Sequence, residues 1–403
     1  MMFVFERMYL NRCSQQTFRK LRANAKKNYS ISRGLELHAD RIMSMAQERG
    51  HPSLVRTPFF STDEKEEFMA IFPDIIKDLT KNNQYADISE VNERIGKLLE
   101  YNLLKCRKTW GLWATVSYKM FENPETLTAA NVKLANILTW CVQMWRGAFT
   151  IFDDLMDNSE FRYGHPCWHR MEDVGIAAAN DGWLMDSCIY TLLHKHFGDK
   201  KCYRHITDVF RDITTKATMG QALDMMCKNR DGTPRLENFN MDRYNTIAKY
   251  KTGPAHTYLP VATGMYFANR YDPEERQHVE RICIDLGMFY QKQNDYLDCF
   301  GDQGLVKKDC TDIKEGKCSW VAVTALERAS PAQRKIMQEH YGRADNNSVQ
   351  MVKDLYLELD LPAVFAAFEK ESFHKVCSQI EQAKGLPHEL FYRMVSSTFG
   401  NAF

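Results

Sequence analysis

The chain has 403 residues, a formal net charge of +1, 44% apolar residues and 26% charged ones. That length suits one large domain or two ordinary ones. The near-neutral charge excludes a basic nucleic-acid surface, and no apolar run approaches the ~18 residues of a membrane span. The 12 cysteines include no Cys-x-x-Cys pair, so they signal neither zinc nor a disulfide framework and read as reduced, mostly buried thiols.

In chain order, the first segment is basic. Arg7, Arg12, Arg19, Lys20, Arg22, Lys26, Lys27 and Arg33 face one acid, Glu6, with Ser14, Ser30 and Ser32 interspersed. Arg-rich, acid-poor and Ser-containing describes a mitochondrial transit peptide, against a plain basic tail on a cytoplasmic protein. Residues 1–55 are therefore set apart from a domain at 56–403. Asp63 to Thr80 places Phe68, Ile71, Phe72, Ile75, Ile76 and Leu79 at helical spacing. Ile88 to Lys105, Ala129 to Phe152, Ala177 to Phe197, Tyr203 to Cys227 and Arg276 to Phe300 behave alike. Breakers at Asn123-Pro124, Gly164 to Pro166, Asp231 to Pro234, Gly253-Pro254, Asp272-Pro273 and Gly385 to Pro387 separate them. No period-two pattern argues a strand. The expected fold is all-α, a single large bundle of long helices.

Two acidic clusters end apolar helices. In Phe152-Asp153-Asp154-Leu155-Met156-Asp157, Asp153 and Asp157 are four apart and share a helical face, while Asp154 is turned away by about 100°. Adjacent carboxylates at an apolar helix end are costly without a cation or water. Oxygen donors of this kind suit magnesium, which takes one or two carboxylates and completes its shell with substrate oxygens. In Gln291-Lys292-Gln293-Asn294-Asp295-Tyr296-Leu297-Asp298 the geometry repeats, with Asn294 and Asp298 four apart. A diphosphate clamped by metal between the two clusters would be stabilised as it leaves. The bland alternative is two solvated helix ends.

Seven ordered segments resemble the farnesyl diphosphate synthase family over roughly residues 59–392: Asp153 to Glu160, Gly164 to Trp168, Gly220-Gln221-Ala222-Leu223-Asp224, Lys249-Tyr250-Lys251-Thr252, Asp295 to Asp302, Thr311-Asp312-Ile313 and Lys317-Cys318-Ser319-Trp320. The resemblance implies a class I isoprenoid synthase domain, a homodimer and Mg2+, about three ions per site. It implies Asp153, Asp154, Asp157, Asn294, Asp295 and Asp298 as metal ligands. An allylic diphosphate would be held by Arg162, Lys251, Thr252, Gln291, Lys308 and Lys317, with Asp153, Asp157, Lys251 and Lys308 acting in catalysis.

The second-substrate half departs from the family pattern. Where the family has Gly-Gly-Lys-x-x-Arg, this chain reads Lys105-Cys106-Arg107-Lys108-Thr109-Trp110. Arg107 thus replaces a lysine and Trp110 an arginine. Arg146 replaces a glutamine, Tyr163 replaces an arginine, and the tail from Ser396 to Phe403 carries no charge. Each lost charge-assisted bond to phosphate removes roughly 1.5–3 kcal/mol. Trp110, Trp113, Trp145 and Tyr163 add aromatic faces that stabilise cations, and Phe149 resembles an aromatic floor that limits chain length. His256 reads as a wall residue. These departures give the expectation of a terpene synthase that ionises (E,E)-farnesyl diphosphate and cyclises or quenches the cation to a sesquiterpene. The alternatives are a prenyltransferase condensing an allylic diphosphate with isopentenyl diphosphate, and a non-catalytic relative that pairs with an active subunit.

Overall fold

The computed structural model describes residues 60–82, 84, 87–106, 109–301 and 311–400. The basic extension, the segment with Arg107 and Lys108, and the segment with Lys308 lie outside the described residues. Helices dominate, as the apolar periodicity predicts.

The bundle is built around helix α5, Ala129–Met156, which follows α1 (Thr62–Ala70), α2 (Phe72–Thr80), α3 (Ser89–Leu104) and α4 (Thr109–Phe121). Every residue of α5 from Ala135 to Trp145 is buried, polar ones included, so this helix is surrounded by protein on all sides. Trp140 shows how the surround is fastened. Its ring stacks on Phe68 at 4.2 Å and its Nε1–H donates to the Phe68 carbonyl at 3.0 Å. Each such buried apolar side chain contributes about 1.5–3 kcal/mol relative to exposure. Thr128 caps the start of α5 by accepting from the Asn131 N–H at 3.2 Å. Asn158 ends it in the left-handed region, φ 55°, one residue beyond Asp157. The first acidic cluster therefore occupies the last turn.

Next comes a short hairpin, β1 (Phe161–Arg162) with β2 (His165–Pro166), paired Phe161↔Pro166 and Arg162↔His165. Both turn residues, Tyr163 and Gly164, have positive φ (53° and 79°), the requirement of a tight primed turn. The sequence reading predicted only a break here. Two residues per strand are too few for an alternating pattern to show.

Helices α6 (Ala178–Phe197) and α7 (Tyr203–Met225) lead to α8 (Met241–Ile247). The expected break at Gly253-Pro254 is not one. The backbone widens into π-helical turns over Ala248–Thr252 and Pro254–Tyr258 and continues as α9, Leu259–Phe267. Pro254 lacks an N–H and its ring would strike the carbonyl four residues back in a regular α-helix, a conflict that a wider turn relieves. The second acidic cluster closes α10, Pro273–Phe300, which Asp272 caps by accepting from the N–H groups of Glu274 and Glu275. Helices α11 (Thr311–Glu315), α12 (Trp320–Arg328), α13 (Pro331–His340), α14 (Asn346–Glu358), α15 (Leu361–Gln382) and α16 (His388–Gly400) complete the bundle. Among the described residues no helix is long and apolar enough to cross a membrane.

Candidate active site

The π-helical stretch lies between α7 and α10, and two glycines permit its close approach. A Cβ on Gly220 of α7 would lie 2.2 Å from the Lys251 backbone nitrogen, and one on Gly287 of α10 would lie 2.3 Å from the Gly253 carbonyl oxygen. Thr257 fastens the stretch further by donating to the Cys283 carbonyl of α10. This wedge delivers Lys251 to the end of α5.

There Lys251 Nζ is 3.1 Å from Asp153 Oδ1 and donates to Asp224 Oδ2 at 2.7 Å. Arg162, on β1, donates to Asp154 and, at 3.3 Å, to Asp153 Oδ2. Lys317, just past α11, is 2.9 Å from Asp157 Oδ2 and 3.2 Å from Glu315. Burial alone would raise the Asp153 carboxyl, but Lys251, Lys317 and Arg162 outweigh it and hold the group below the usual carboxylate range. Burial would lower Lys251, and Asp153 and Asp224 reverse that and hold it well above the usual lysine value. Asp153, Asp157, Arg162, Lys251 and Lys317 are thus gathered as the sequence reading predicts.

Asp153 Oδ1 and Asp157 Oδ2 are buried without a hydrogen-bond partner, although each lies within ion-pair range of a lysine. Orphaned carboxylate oxygens one helical turn apart fit a hard cation that prefers oxygen ligands. Among the described residues no three Asp, Glu, His or Cys side chains converge into a complete metal cage.

The other expected ligands are engaged within the protein. Asp295 accepts from the Tyr244 hydroxyl (2.7 Å), the Gln291 amide (2.7 Å) and the Trp320 N–H (2.9 Å). Asp298 accepts from the Thr311 hydroxyl (2.6 Å) and the Asp312 N–H (3.0 Å). Both are buried, and both oxygens of each are occupied, so they fasten α10 to the segments that follow it. The sequence reading expected both to hold metal; in this structure their oxygens serve the packing of α10. Asp154 is likewise anchored to Arg162. Asn294 stays partly exposed on α10. Thr252 donates to Gln291 at 2.7 Å, joining the π-helical wall to α10.

A second pocket adjoins the carboxylates. Its lining includes Lys105, Gln143, Arg146, Asp154, Arg162 and Tyr163. Arg146 donates to the Tyr163 hydroxyl, and its guanidinium lies 5.6 Å from the Trp110 ring centroid. The expected aromatic lining is only partly there. Trp113 is buried against Phe60, while Trp145 stacks on Phe149 and donates to Thr214 at 2.7 Å, so both are packing residues. Arg107 and Lys308 lie outside the described residues. The sequence reading gave no role to Asp224, Tyr244 or Thr311. Asp224 carried a signal, as the last residue of the Gly220 to Asp224 segment, but its lysine partner is a tertiary fact.

A sequence model of the polyprenyl synthetase family matches residues 92–359. The chain is 41% identical over 347 residues to a farnesyl pyrophosphate synthase of Murgantia histrionica, covering 86% of this chain and 84% of that protein. It is 42% identical to one of Nezara viridula, covering 86% and 85%. Among solved structures, Trypanosoma brucei farnesyl diphosphate synthase complexed with homorisedronate superposes with a TM-score of 0.77 at 25% identity, over 83% of this chain and 99% of that one. These relatives overturn the terpene synthase expectation, since they are named for the synthesis of farnesyl pyrophosphate. The cationic lining of the second pocket removes its physical basis, because the loss of two arginines did not strip that pocket of positive charge. With its all-α bundle, its carboxylate helix end ringed by cations and this similarity along most of its length, the chain belongs to the polyprenyl synthetase family.

Proposed function

We propose that the chain is a prenyltransferase of the farnesyl diphosphate synthase type, condensing an allylic diphosphate with isopentenyl diphosphate. The observation that carries this reading is the second pocket beside the carboxylates, where Lys105 and Arg146 offer positive charge apart from Asp153 and Asp157. A one-substrate enzyme has no use for it.

Asp153 and Asp157, with Asn294 of α10, would hold Mg2+, about three ions per site as the family resemblance implies. Bound there, the metal supplies Lewis-acid stabilisation of the departing diphosphate. Arg162, Lys251 and Lys317 bind the allylic diphosphate and hold it in line, with Thr252 and Gln291 fixing the wall beside it. Lys308 belongs to the same set by motif. Arg146 and Lys105 orient the acceptor diphosphate, joined by Arg107, while Tyr163 positions Arg146 through its hydroxyl. Trp110 presents its ring next to Arg146. A homodimer and mitochondrial import of the basic extension are further parts of the proposal. The import is supported by composition and by an Arabidopsis thaliana relative, 36% identical, whose name places it in mitochondria.

The test is purified protein with Mg2+, geranyl diphosphate and labelled isopentenyl diphosphate, with products resolved by mass spectrometry. Label in a lengthened allylic diphosphate is the expected result. Isopentenyl diphosphate left unconsumed while the allylic diphosphate ionises would overturn the proposal.

A further inference from the structure

Two thiols lie beside the charged cluster and take no part in it. Cys227 comes two residues after α7 and three after Asp224, and Cys318 follows Lys317 directly. Both are free and buried. After Cys227 the chain makes a tight turn. In it the Asn229 N–H donates to the Thr233 carbonyl and the Arg235 N–H to the Cys227 carbonyl, each at 2.8 Å. The turn brings Pro234 back beside Lys228 and onto the backbone of Gly316, where a Cβ would lie 3.0 Å from the proline Cδ. Gly316 is two residues before Cys318. This packing of turn on loop sets the two sulfurs within hydrogen-bonding reach of each other.

The surroundings give the thiols different roles. Arg243 of α8 donates from Nη2 to the Leu223 carbonyl at 3.3 Å, and its Nε is buried without a hydrogen-bond partner. A negative sulfur at Cys227 supplies the acceptor that this guanidinium lacks. The hydrogen bond from Cys318 first, and the Arg243 charge against burial, bring the Cys227 thiol down to about 7. Cys318, the donor in that bond and buried besides, is pushed up. A thiol that ionises near the ambient pH is the better attacker, and its protonated neighbour is placed to resolve what forms.

We propose that Cys227 and Cys318 are a modification site, an oxidisable pair that a hydroperoxide closes to a disulfide, loosening the hold of the neighbouring segment on the allylic diphosphate. The effect on binding rests on the prenyl-transfer reading, in which Lys317 holds that diphosphate; the disulfide itself does not. The Cys227 sulfur attacks the peroxide, the O–O bond breaks, and water or an alcohol leaves as a sulfenic acid forms on Cys227. The Cys318 sulfur then displaces that hydroxyl, which departs as water with the Cys318 proton. The two thiols lose two electrons and the peroxide gains them. Residues 229–233 are exposed, and opening of this short turn admits the small oxidant. Disulfide sulfurs are about 2 Å apart, closer than a thiol hydrogen bond holds them. Closing that gap displaces the adjoining Lys317 relative to Asp157, its partner at 2.9 Å.

The test treats the reduced full-length protein with hydrogen peroxide, maps linked peptides by mass spectrometry and measures geranyl diphosphate binding with Mg2+ by calorimetry, in wild type and Cys227→Ser. The expected result for wild type is a peptide pair linked through Cys227 and Cys318, binding at least about tenfold weaker, the value of one lost charge-assisted contact, and recovery with dithiothreitol. Cys227→Ser should bind as reduced wild type does, before and after peroxide. Absence of the linked pair overturns the site. A linked pair with unchanged affinity overturns its effect on the diphosphate. A Cys227→Ser protein that weakens on peroxide as much as wild type also overturns it, because another cysteine then accounts for the loss. If Cys227→Ser fails to fold, the same readings on Cys318→Ala decide. A reduced wild type that binds no geranyl diphosphate brings down the prenyl-transfer reading and the effect on binding, while the linked pair still decides the thiol site.

Discussion

Lys251 is the cation shared by Asp153 and Asp224, both within ion-pair range of its Nζ. Replacing it with methionine keeps the stem and removes the charge, leaving two carboxylates without their common partner. Removing one member of a buried pair typically destabilises by about 3–5 kcal/mol, and Lys251→Met should lose about 3 kcal/mol in urea unfolding at pH 7. The pH dependence follows from the depressed Asp153 value. A lowered carboxyl contributes stability that is complete above its unfolded value near 3.8 and is lost as pH falls through the folded one. Without Lys251 the folded value moves back toward the unfolded one, so the stability gap between wild type and variant should be full near pH 7 and should narrow as pH falls below about 3.8. Superimposable stability curves from pH 3 to 7 would contradict the pairing. Sequence alone pointed to Asp153, Asp157, Arg162, Lys251 and Lys317, because each sits within a local spacing that repeats a known pattern. It did not show how Asp295 and Asp298 are held, because their donors, Tyr244, Trp320 and Thr311, come from segments whose docking no local spacing encodes.

At the level of elements, the π-helical wall decides where Lys251, Thr252 and His256 point. Its location was legible as a Gly-Pro dipeptide, but its nature was not. A proline signals that a regular helix cannot continue, and only the packing against α7 and α10 selects a widened helix over a break. Gly220 is the closest point of that packing, and the atoms a Cβ would strike are the backbone N and Cα of Lys251, which cannot rotate away. Gly220→Ala should therefore push the wall off α7. An overpacked core position costs typically 1–3 kcal/mol, so a loss of about 2 kcal/mol in thermal or urea unfolding is expected. The same shift moves Lys251 relative to Asp153, and a misplacement of about 1 Å near reacting groups costs on the order of 100-fold in rate. A Gly220→Ala enzyme with wild-type kcat and stability would show that the contact is not restrictive. The limits of α3, α5, α6, α7 and α10 were legible to within a few residues because apolar spacing and caps such as Thr128 and Asp272 are local signals, whereas the stretch from Asp63 to Thr80 divides into two helices and the helices after α10 were not identified.

Across the whole molecule, the hairpin bearing Arg162 is held from a distance. Asp181, buried on α6, accepts from Arg94 of α3 at 2.7 and 2.6 Å and from the Trp168 indole N–H at 2.8 Å. Tyr101 of α3 donates to the Pro166 carbonyl at 2.8 Å. Asp181→Ala leaves the indole N–H and the guanidinium unsatisfied and should cost about 2 kcal/mol in urea unfolding. It should also raise the KM for the allylic diphosphate more than it lowers kcat, because the hairpin then holds Arg162 less firmly. An unchanged KM would separate the network from the site. The charged cluster itself joins parts far apart in the chain: the end of α5, the end of α7, the π-helical wall and the Lys317 segment. Its lysines already have anionic company, and its carboxylates already have cationic company. A diphosphate arriving alone would take the ammonium groups and strand the aspartates, and a dication arriving alone would do the reverse. Only the two together let every charge change hands without loss, so metal and diphosphate should each tighten the other's hold, and the helices they join should stiffen at the same moment.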